Sequence, residues 1–430
     1  MSAHIVAVHG RRVWDSRGRP TVEVEVRLAG GAFGRAIAPA GASRGAHEAV
    51  DLRDGGARLG GADVMRAVAN INGEIARALA GFEAHDQEVI DATLAALDGT
   101  ANKARLGANA TVAVSLAVAQ AAAATERASL WRYLAHGAPV SLPLPEIQIF
   151  GGGAHAGRRI DIQDLMVMPL GAESFAEALA MTAETYYAAG ALMQRAGKLR
   201  GVADEGGFWP NFDSNEEALA MLTRAIERAG YTPGDEVAIS LDIAASELYR
   251  DGRYHFGLEH KAFDRDAMIE RLLRWLERYP IVSIEDPLAE EDRDGWIHFT
   301  RAAADRVQII GDDYLTTDAG RVAAAAIDGA CNAVLIKPNQ AGTVSEALAA
   351  LRAGQRAGFG TIVSARSGES EDVAIVHLAV GWNAGQLKVG SLARGERTAK
   401  WNEALRIEEA MGSAGRYAGG AALRRAASSG

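Results

Sequence analysis

Five short apolar runs in the second half of the chain each close on a charged residue: "VAISLD" on Asp242, "IVSIE" on Glu285, "VQIIGD" on Asp312, "AVLIK" on Lys337 and "GQLK" on Lys388. Carboxylates are hard oxygen donors suited to a divalent cation such as Mg²⁺. A lysine beside such a cation can accept a proton once its pKa is lowered. Three acids followed by two lysines therefore read as a cation site facing a general base. A further run, "FGTIVSARS", carries Arg366 and Ser367, and the planar fork of an arginine suits phosphoryl oxygens. The competing reading is structural, since an acid at a strand end often caps the following helix. That accounts for one acid more readily than for three in series. It suits Asp286 and Asp313, the immediate neighbours.

Elements must bring these groups together. A β-branched run, a loop, a helix and the next run, repeating roughly every 25–50 residues, describes a (β/α) barrel, whose chemistry gathers at the C-terminal ends of its strands. The N-terminal part reads differently. "TVEVEVRL" places Val22, Val24 and Val26 on one face and Glu23, Glu25 and Arg27 on the other, the pattern of a half-buried antiparallel strand. "AGGAFG" (29–34) reads as a hairpin turn, "GASRG" (41–45) as a small-residue loop, and Ala-rich segments from about 62 to 134 as helices. The predicted fold class is α/β: a small N-terminal α+β cap domain over 1–138, then a (β/α)8 barrel over 139–430. The proline-punctuated "GAPVSLPLPE" marks the boundary. The Ala/Gly/Ser-rich tail from 413, with Arg424 and Arg425, is expected to be frayed or lightly docked.

Composition narrows the function classes. The 430 residues are 48% hydrophobic and 23% charged, as in an ordinary globular protein. A net charge of −10 argues against a nucleic-acid partner or an anionic membrane. The single cysteine, Cys331, lies in a strand approach and reads as a buried thiol. The richest apolar run, Thr111 to Ala124, is broken by Ser115 and Gln120 and reads as a packed helix. With no leader pattern in the sequence, the expected location is the cytoplasm.

At this level of detail the chain resembles the enolase family, the phosphopyruvate hydratases, over nearly its whole length. The matching blocks include "DSRGRPTVEVEV" (15–26), "GASRGAHEA" (41–49), "LDGTANKARLGANA" (97–110), "GGGAHAG" (151–157), "DIQDLMVMP" (161–169), "ADEGGFWPN" (203–211), "SLDIAASE" (240–247), "YPIVSIEDPLAEED" (279–292), "LIKPNQAGT" (335–343), "SARSGESED" (364–372) and "RGERTAKWNEALRIEE" (394–409). The resemblance implies dehydration of 2-phospho-D-glycerate to phosphoenolpyruvate with two Mg²⁺ per site. It implies Asp242, Glu285 and Asp312 as ligands of the first cation, and Ser43 as a ligand of the second. Lys337 matches the general base, and Glu205 the acid facing the leaving hydroxyl. Lys388 matches the holder of the substrate carboxylate, Arg366 and Ser367 the phosphate anchors, and His155, Gln163 and Asp164 the site lining. The implied partner is a small phosphorylated carboxylic acid. Arg11, Glu23, Arg406 and Glu409 match positions that pair across a homodimer, itself able to build a larger ring.

Several positions depart from the family. Asp164 stands where a glutamate is usual, and Ala365 replaces a histidine near the leaving group. Ala40 and Arg44 replace a serine and a threonine in the first loop. Arg158 and Arg159 add charge to the second loop, and Trp209 replaces a small residue. These changes suggest an alternative substrate with extra negative charge, paired with Arg44, as in the enzymes forming carboxyphosphonoenolpyruvate. A third reading keeps the scaffold as a binding protein without catalysis.

Overall fold

The structure is a computed structural model describing residues 2–42 and 45–423. Ser43, Arg44, Arg424 and Arg425 lie outside the described residues.

Three antiparallel strands, β1 (Ile5–Trp14), β2 (Pro20–Leu28) and β3 (Phe33–Ile37), form the N-terminal sheet in chain order. Val22, Val24 and Val26 are fully buried while Arg27 is exposed, as the alternation predicts. Glu23 departs from that pattern: it is buried because Arg11 bonds to it. Arg11 also bonds Glu25 at 3.0 Å, and Arg406 bonds Glu403 at 2.9 Å, so both arginines have partners within the chain. The strand after the hairpin begins at Phe33, and Gly34, expected in the turn, lies inside it.

Helix α1 (Gln87–Asp98) ends on left-handed Gly99, and α2 (Ala108–Thr125) packs across the sheet. The length and hydropathy of α2 would serve to cross a membrane, but 83% of it is buried inside the protein, the packed helix expected. Its close approach depends on Gly34, where a Cβ would stand 2.1 Å from the Ala117 carbonyl oxygen. Side chains tie this region to the barrel. Thr111 Oγ1 donates to Gly342 O at 2.7 Å, and Asp91 accepts the Ser345 N–H at 2.9 Å.

The barrel closes with eight strands. They are β4 (Leu144–Gly151), β5 (Asp164–Met168), then, after a hairpin of β6 (Leu199–Val202) and β7 (Phe208–Pro210), β8 (Ala238–Asp242), β9 (Ile281–Glu285), β10 (Gln308–Gly311), β11 (Ala333–Ile336), β12 (Gly360–Ser364) and β13 (Gly385–Gly390), which pairs back onto β4. A uniform (β/α) repeat predicts eight parallel strands. Instead β5 runs antiparallel to both β4 and β8. The β4–β5 connection holds only a one-turn helix at Gly153–Ala156, and a parallel crossover needs a longer one.

Outer helices begin on side-chain caps that the sequence supplies as Ser/Thr-x-x-Glu. Ser174 accepts from Glu177 N at 3.1 Å, Ser214 from Glu217 N at 3.1 Å, and Thr343 from Glu346 N at 3.3 Å. Leu144, Met168, Ala238 and Val282 close the barrel floor, with Tyr417 and Leu423 packed beneath. Arg416–Tyr417 pairs with Ser141–Leu142, so the tail is docked as far as residue 423. Cys331 is buried and free.

Gly34→Ala should lower stability by about 1–3 kcal/mol through overpacking. Gly73→Ala, where the added Cβ meets nothing within 4 Å, should be neutral or slightly stabilising. Denaturant unfolding of the two variants checks the contrast.

Candidate active site

The strand ends deliver the expected groups to one mouth of the barrel. Asp242 and Glu285 are the last residues of β8 and β9, and Asp312 and Lys337 directly follow β10 and β11. Lys388 points inward from β13 and donates to Asp242 Oδ2 at 3.0 Å and Glu285 Oε2 at 2.5 Å. Its Nζ also lies 3.8 Å from Asp164 Oδ2. Lys337 bonds one Asp312 oxygen, and Gln340 Nε2 donates to the other at 2.9 Å. Asp286 accepts the backbone N–H groups of Asp312 at 2.9 Å and Asp313 at 2.8 Å, the supporting work expected of it.

Burial opposes every charge here, and the partners decide which survive. Burial would lower the Lys388 pKa, but Asp242, Glu285 and Asp164 outweigh it and hold it well above the usual lysine range. Burial and Asp242 push Glu285 well above the usual carboxylate range, against the pull of Lys388. Asp312 goes the other way: Lys337 and Arg366 overcome burial and lower it. The sequence reading requires a lowered Lys337. With only the protein's own groups acting, Asp312 outweighs burial and raises it.

The donor set suits a hard divalent cation: three buried carboxylates at strand ends, with Glu285 Oε1 left without a hydrogen-bond partner. Lysine ammonium groups lie against these acids, where a cation's positive charge would otherwise act. The three expected ligands are not the acids drawn most tightly together. Among the described residues, ligating atoms lie within 4.8 Å of one another in His155–Asp164–Glu205 and in Asp286–Asp312–Asp313. In the second cluster both Asp286 oxygens already accept backbone N–H groups, while Asp312 is bonded by the side chains of Lys337 and Gln340.

The first of those clusters adjoins Lys388 through Asp164. Because β5 runs backwards, its first residue, Asp164, reaches the same mouth as the last residues of its neighbours and pairs across the ladder with Asp242. His155 Nδ1 meets Asp164 Oδ1 at 3.1 Å, and its Nε2 is 3.8 Å from Glu205 Oε1. Gln148 holds the same Asp164 oxygen, and its Oε1 accepts Gly207 N at 2.8 Å, fixing the β6–β7 turn that carries Glu205. Burial opposes the imidazolium, but Asp164 and Glu205 outweigh it and lift His155 to about 9. For Asp164, burial is overcome by His155 and Lys388, and its pKa falls to about 2. Gln163 Nε2 donates to Asp242 Oδ2 at 3.2 Å.

Arg366 and Ser367 form the third side. The Arg366 guanidinium bonds Glu48 Oε2 at 2.9 Å, and Arg17 Nη1 donates to Ser367 Oγ at 3.2 Å, so the cap domain grips both anchors. Arg397, fully buried, supports them from below by donating to Arg366 O and Val389 O, both at 2.7 Å. Ala40 is bonded backbone to backbone with Gly368, which anchors the base of the first loop. The cavity between the three sides encloses about 340 Å³ including its open mouth. Gln163, Lys337, Ala365, Arg366, Ser367 and Lys388 line it, together with the His155–Asp164–Glu205 wall. Arg158 and Arg159 turn outward to Glu247 at 2.6 Å and Asn211 at 3.1 Å. Trp209 lies against Gly157 of the second loop, 3.3 Å from the position of a Cβ there.

Glu48, Gln148, Gln340, Arg17 and Arg397 do not emerge from the sequence reading as site residues. Glu48 and Arg17 lie inside quoted blocks, but their partners are more than 300 residues away in the chain. The chain matches two family models: residues 5–134 match the enolase N-terminal domain, and residues 139–426 match the enolase C-terminal TIM barrel domain.

The His155–Asp164 pair carries a pH signature. A histidine raised from 6.5 to about 9 contributes stability that is full below pH 6.5 and lost as pH rises through about 9. The stability difference between wild type and His155→Gln should therefore shrink between pH 6.5 and about 9, as read from thermal unfolding at stepped pH.

Proposed function

The chain belongs to the enolase family, and from that premise we propose that it catalyses Mg²⁺-dependent, reversible dehydration of 2-phospho-D-glycerate to phosphoenolpyruvate. One observation carries the reading: a single cavity is lined by Lys337, Lys388 and Asp242, by His155, Asp164 and Glu205, and by Arg366 and Ser367, with Glu285 and Asp312 bonded to the two lysines. These three sides correspond to a carboxylate, a leaving hydroxyl and a phosphate on one small substrate.

Lys337 Nζ takes the proton from the carbon next to the substrate carboxylate, and Lys388 holds that carboxylate. Asp242, Glu285 and Asp312 would hold a divalent cation, which when bound would spread the second negative charge that deprotonation places on the carboxylate. A lysine base working with one or two Mg²⁺ is the general pattern of enolase-superfamily sites. Glu205 faces the leaving hydroxyl and supplies the proton with which it departs as water. The His155 imidazolium, paired with Asp164, orients that wall and keeps it charged. Arg366 and Ser367 anchor the phosphate, which requires Glu48 to yield its hold on Arg366. Wild-type turnover removes one proton and one hydroxide, and the product double bond forms between the two carbons.

A second reading rests on Ala365, a methyl-sized residue on the cavity wall. It leaves room for a larger or more anionic analogue of 2-phosphoglycerate. The outward pairing of Arg158 and Arg159 takes those two residues out of its support.

Following the ultraviolet absorbance of the enol product with Mg²⁺ should give turnover near or above about 10 s⁻¹ on 2-phosphoglycerate. Lys337→Met should lower kcat by about 10²–10⁴-fold. Trace wild-type turnover with Mg²⁺ binding retained would select the analogue reading.

A further inference from the structure

The barrel interior holds one acid that the proposed chemistry does not use. Glu146 is fully buried on β4, and the β4–β13 ladder pairs it directly with Lys388. Ser240 Oγ donates to Glu146 Oε2 at 3.0 Å, while Oε1 has no hydrogen-bond partner despite its burial. Ser240 precedes Asp242 by two residues on β8, so Glu146 lies one layer of the barrel below the cation-facing acids. Burial pushes its pKa up to about 7, and the nearby Lys388 charge pulls against that rise. A buried carboxyl with one unused oxygen is costly. The Lys388 charge lies close enough to act on it.

Lys388 has a complementary problem. Its ammonium is buried, and its two closest acceptors, Asp242 and Glu285, are the carboxylates assigned to a cation. If those oxygens turn to a cation, Lys388 loses both close hydrogen-bond acceptors and keeps only Asp164 Oδ2 at 3.8 Å, too far for a hydrogen bond. Its long, flexible stem allows a move. Asp164 is the other acid near Lys388, but His155 and Gln148 fix its carboxylate through Oδ1, with Oδ2 3.8 Å from the ammonium. Glu146 Oε1 lies one layer below with nothing bonded to it.

We propose that Glu146 is the positioning residue for Lys388, a second seat one layer below the mouth that receives the ammonium when Asp242 and Glu285 are engaged elsewhere. Lys388 then alternates between its ligand-side partners and Glu146, and stays charged and in place to hold a substrate carboxylate. The inference rests on the assignment of Asp242 and Glu285 as cation ligands, so its test has one arm with Mg²⁺ and one without.

In the first arm, isothermal titration calorimetry of the full chain compares Mg²⁺ affinity in wild type, Glu146→Gln, Lys388→Met and the double variant. Loss of the second seat should weaken Mg²⁺ about tenfold when Lys388 is present and by less than about twofold in the Lys388→Met background. Equal losses in both backgrounds would show a through-space charge effect and overturn the proposal. In the second arm, thermal unfolding in EDTA combines Glu146→Gln with Asp242→Asn, which removes one ligand-side partner without any metal. The double variant should melt about 2 °C or more below the sum of the single effects, and strict additivity would overturn the proposal. A wild-type protein that binds no Mg²⁺ yet keeps the EDTA coupling would overturn the cation assignment and leave Glu146 in its role.

Discussion

Asp242, Glu285 and Asp312 are carboxylates crowded at one mouth of a barrel, out of reach of bulk water, and the architecture around them answers the repulsion this creates. Lys388 neutralises the first two and Lys337 the third, while Asp286 and Gln340 hold the Asp312 segment in place. Buried charges persist only when paired and hydrogen-bonded. The same pairing that stabilises the fold sets the two lysines proposed as base and carboxylate holder beside the acids proposed to hold a cation. Stability and chemistry draw here on the same five side chains.

The reversed strand β5 extends this arrangement. In an all-parallel barrel the first residue of a strand faces the floor. The antiparallel course of β5 brings Asp164 to the mouth instead, beside Asp242 and against His155. The acid–imidazole wall then lines the same cavity as the lysines, with Asp164 3.8 Å from Lys388. Gln148 joins this wall to the turn that carries Glu205, so both acids share one support.

The cap domain completes the third side. Glu48 bonds Arg366, Arg17 bonds Ser367, and Asp372 on the barrel accepts the Ile37 N–H at 2.8 Å. These ties hold the Arg366–Ser367 segment under the first loop, whose base is fixed by the Ala40–Gly368 pairing. Glu146 and Ser240 form a polar layer beneath the site, and Ser283, Gln308 and Gln386 form another. The barrel core is therefore not uniformly apolar under the chemistry.

Residue types at strand ends were legible in the chain because a strand that finishes in a buried apolar run must place its next polar side chain at the mouth. That is why Asp242, Glu285, Asp312, Lys337 and Lys388 could be read together, and why the Val22–Val24–Val26 stripe announced its sheet. Short-range periodicity carries no information on strand direction, so the reversal of β5 and the position of Asp164 beside Asp242 and Lys388 came only from the closed barrel. The same holds for Glu48 on Arg366, Glu146 beneath Lys388 and the buried Glu23. Each is an acid whose partner is remote in sequence or set by ladder register, and only packing decides which acids meet which cations. The direction of the Lys337 shift is the sharpest case: the sequence supplied a lysine and an acid, and their contact in the folded chain set the sign.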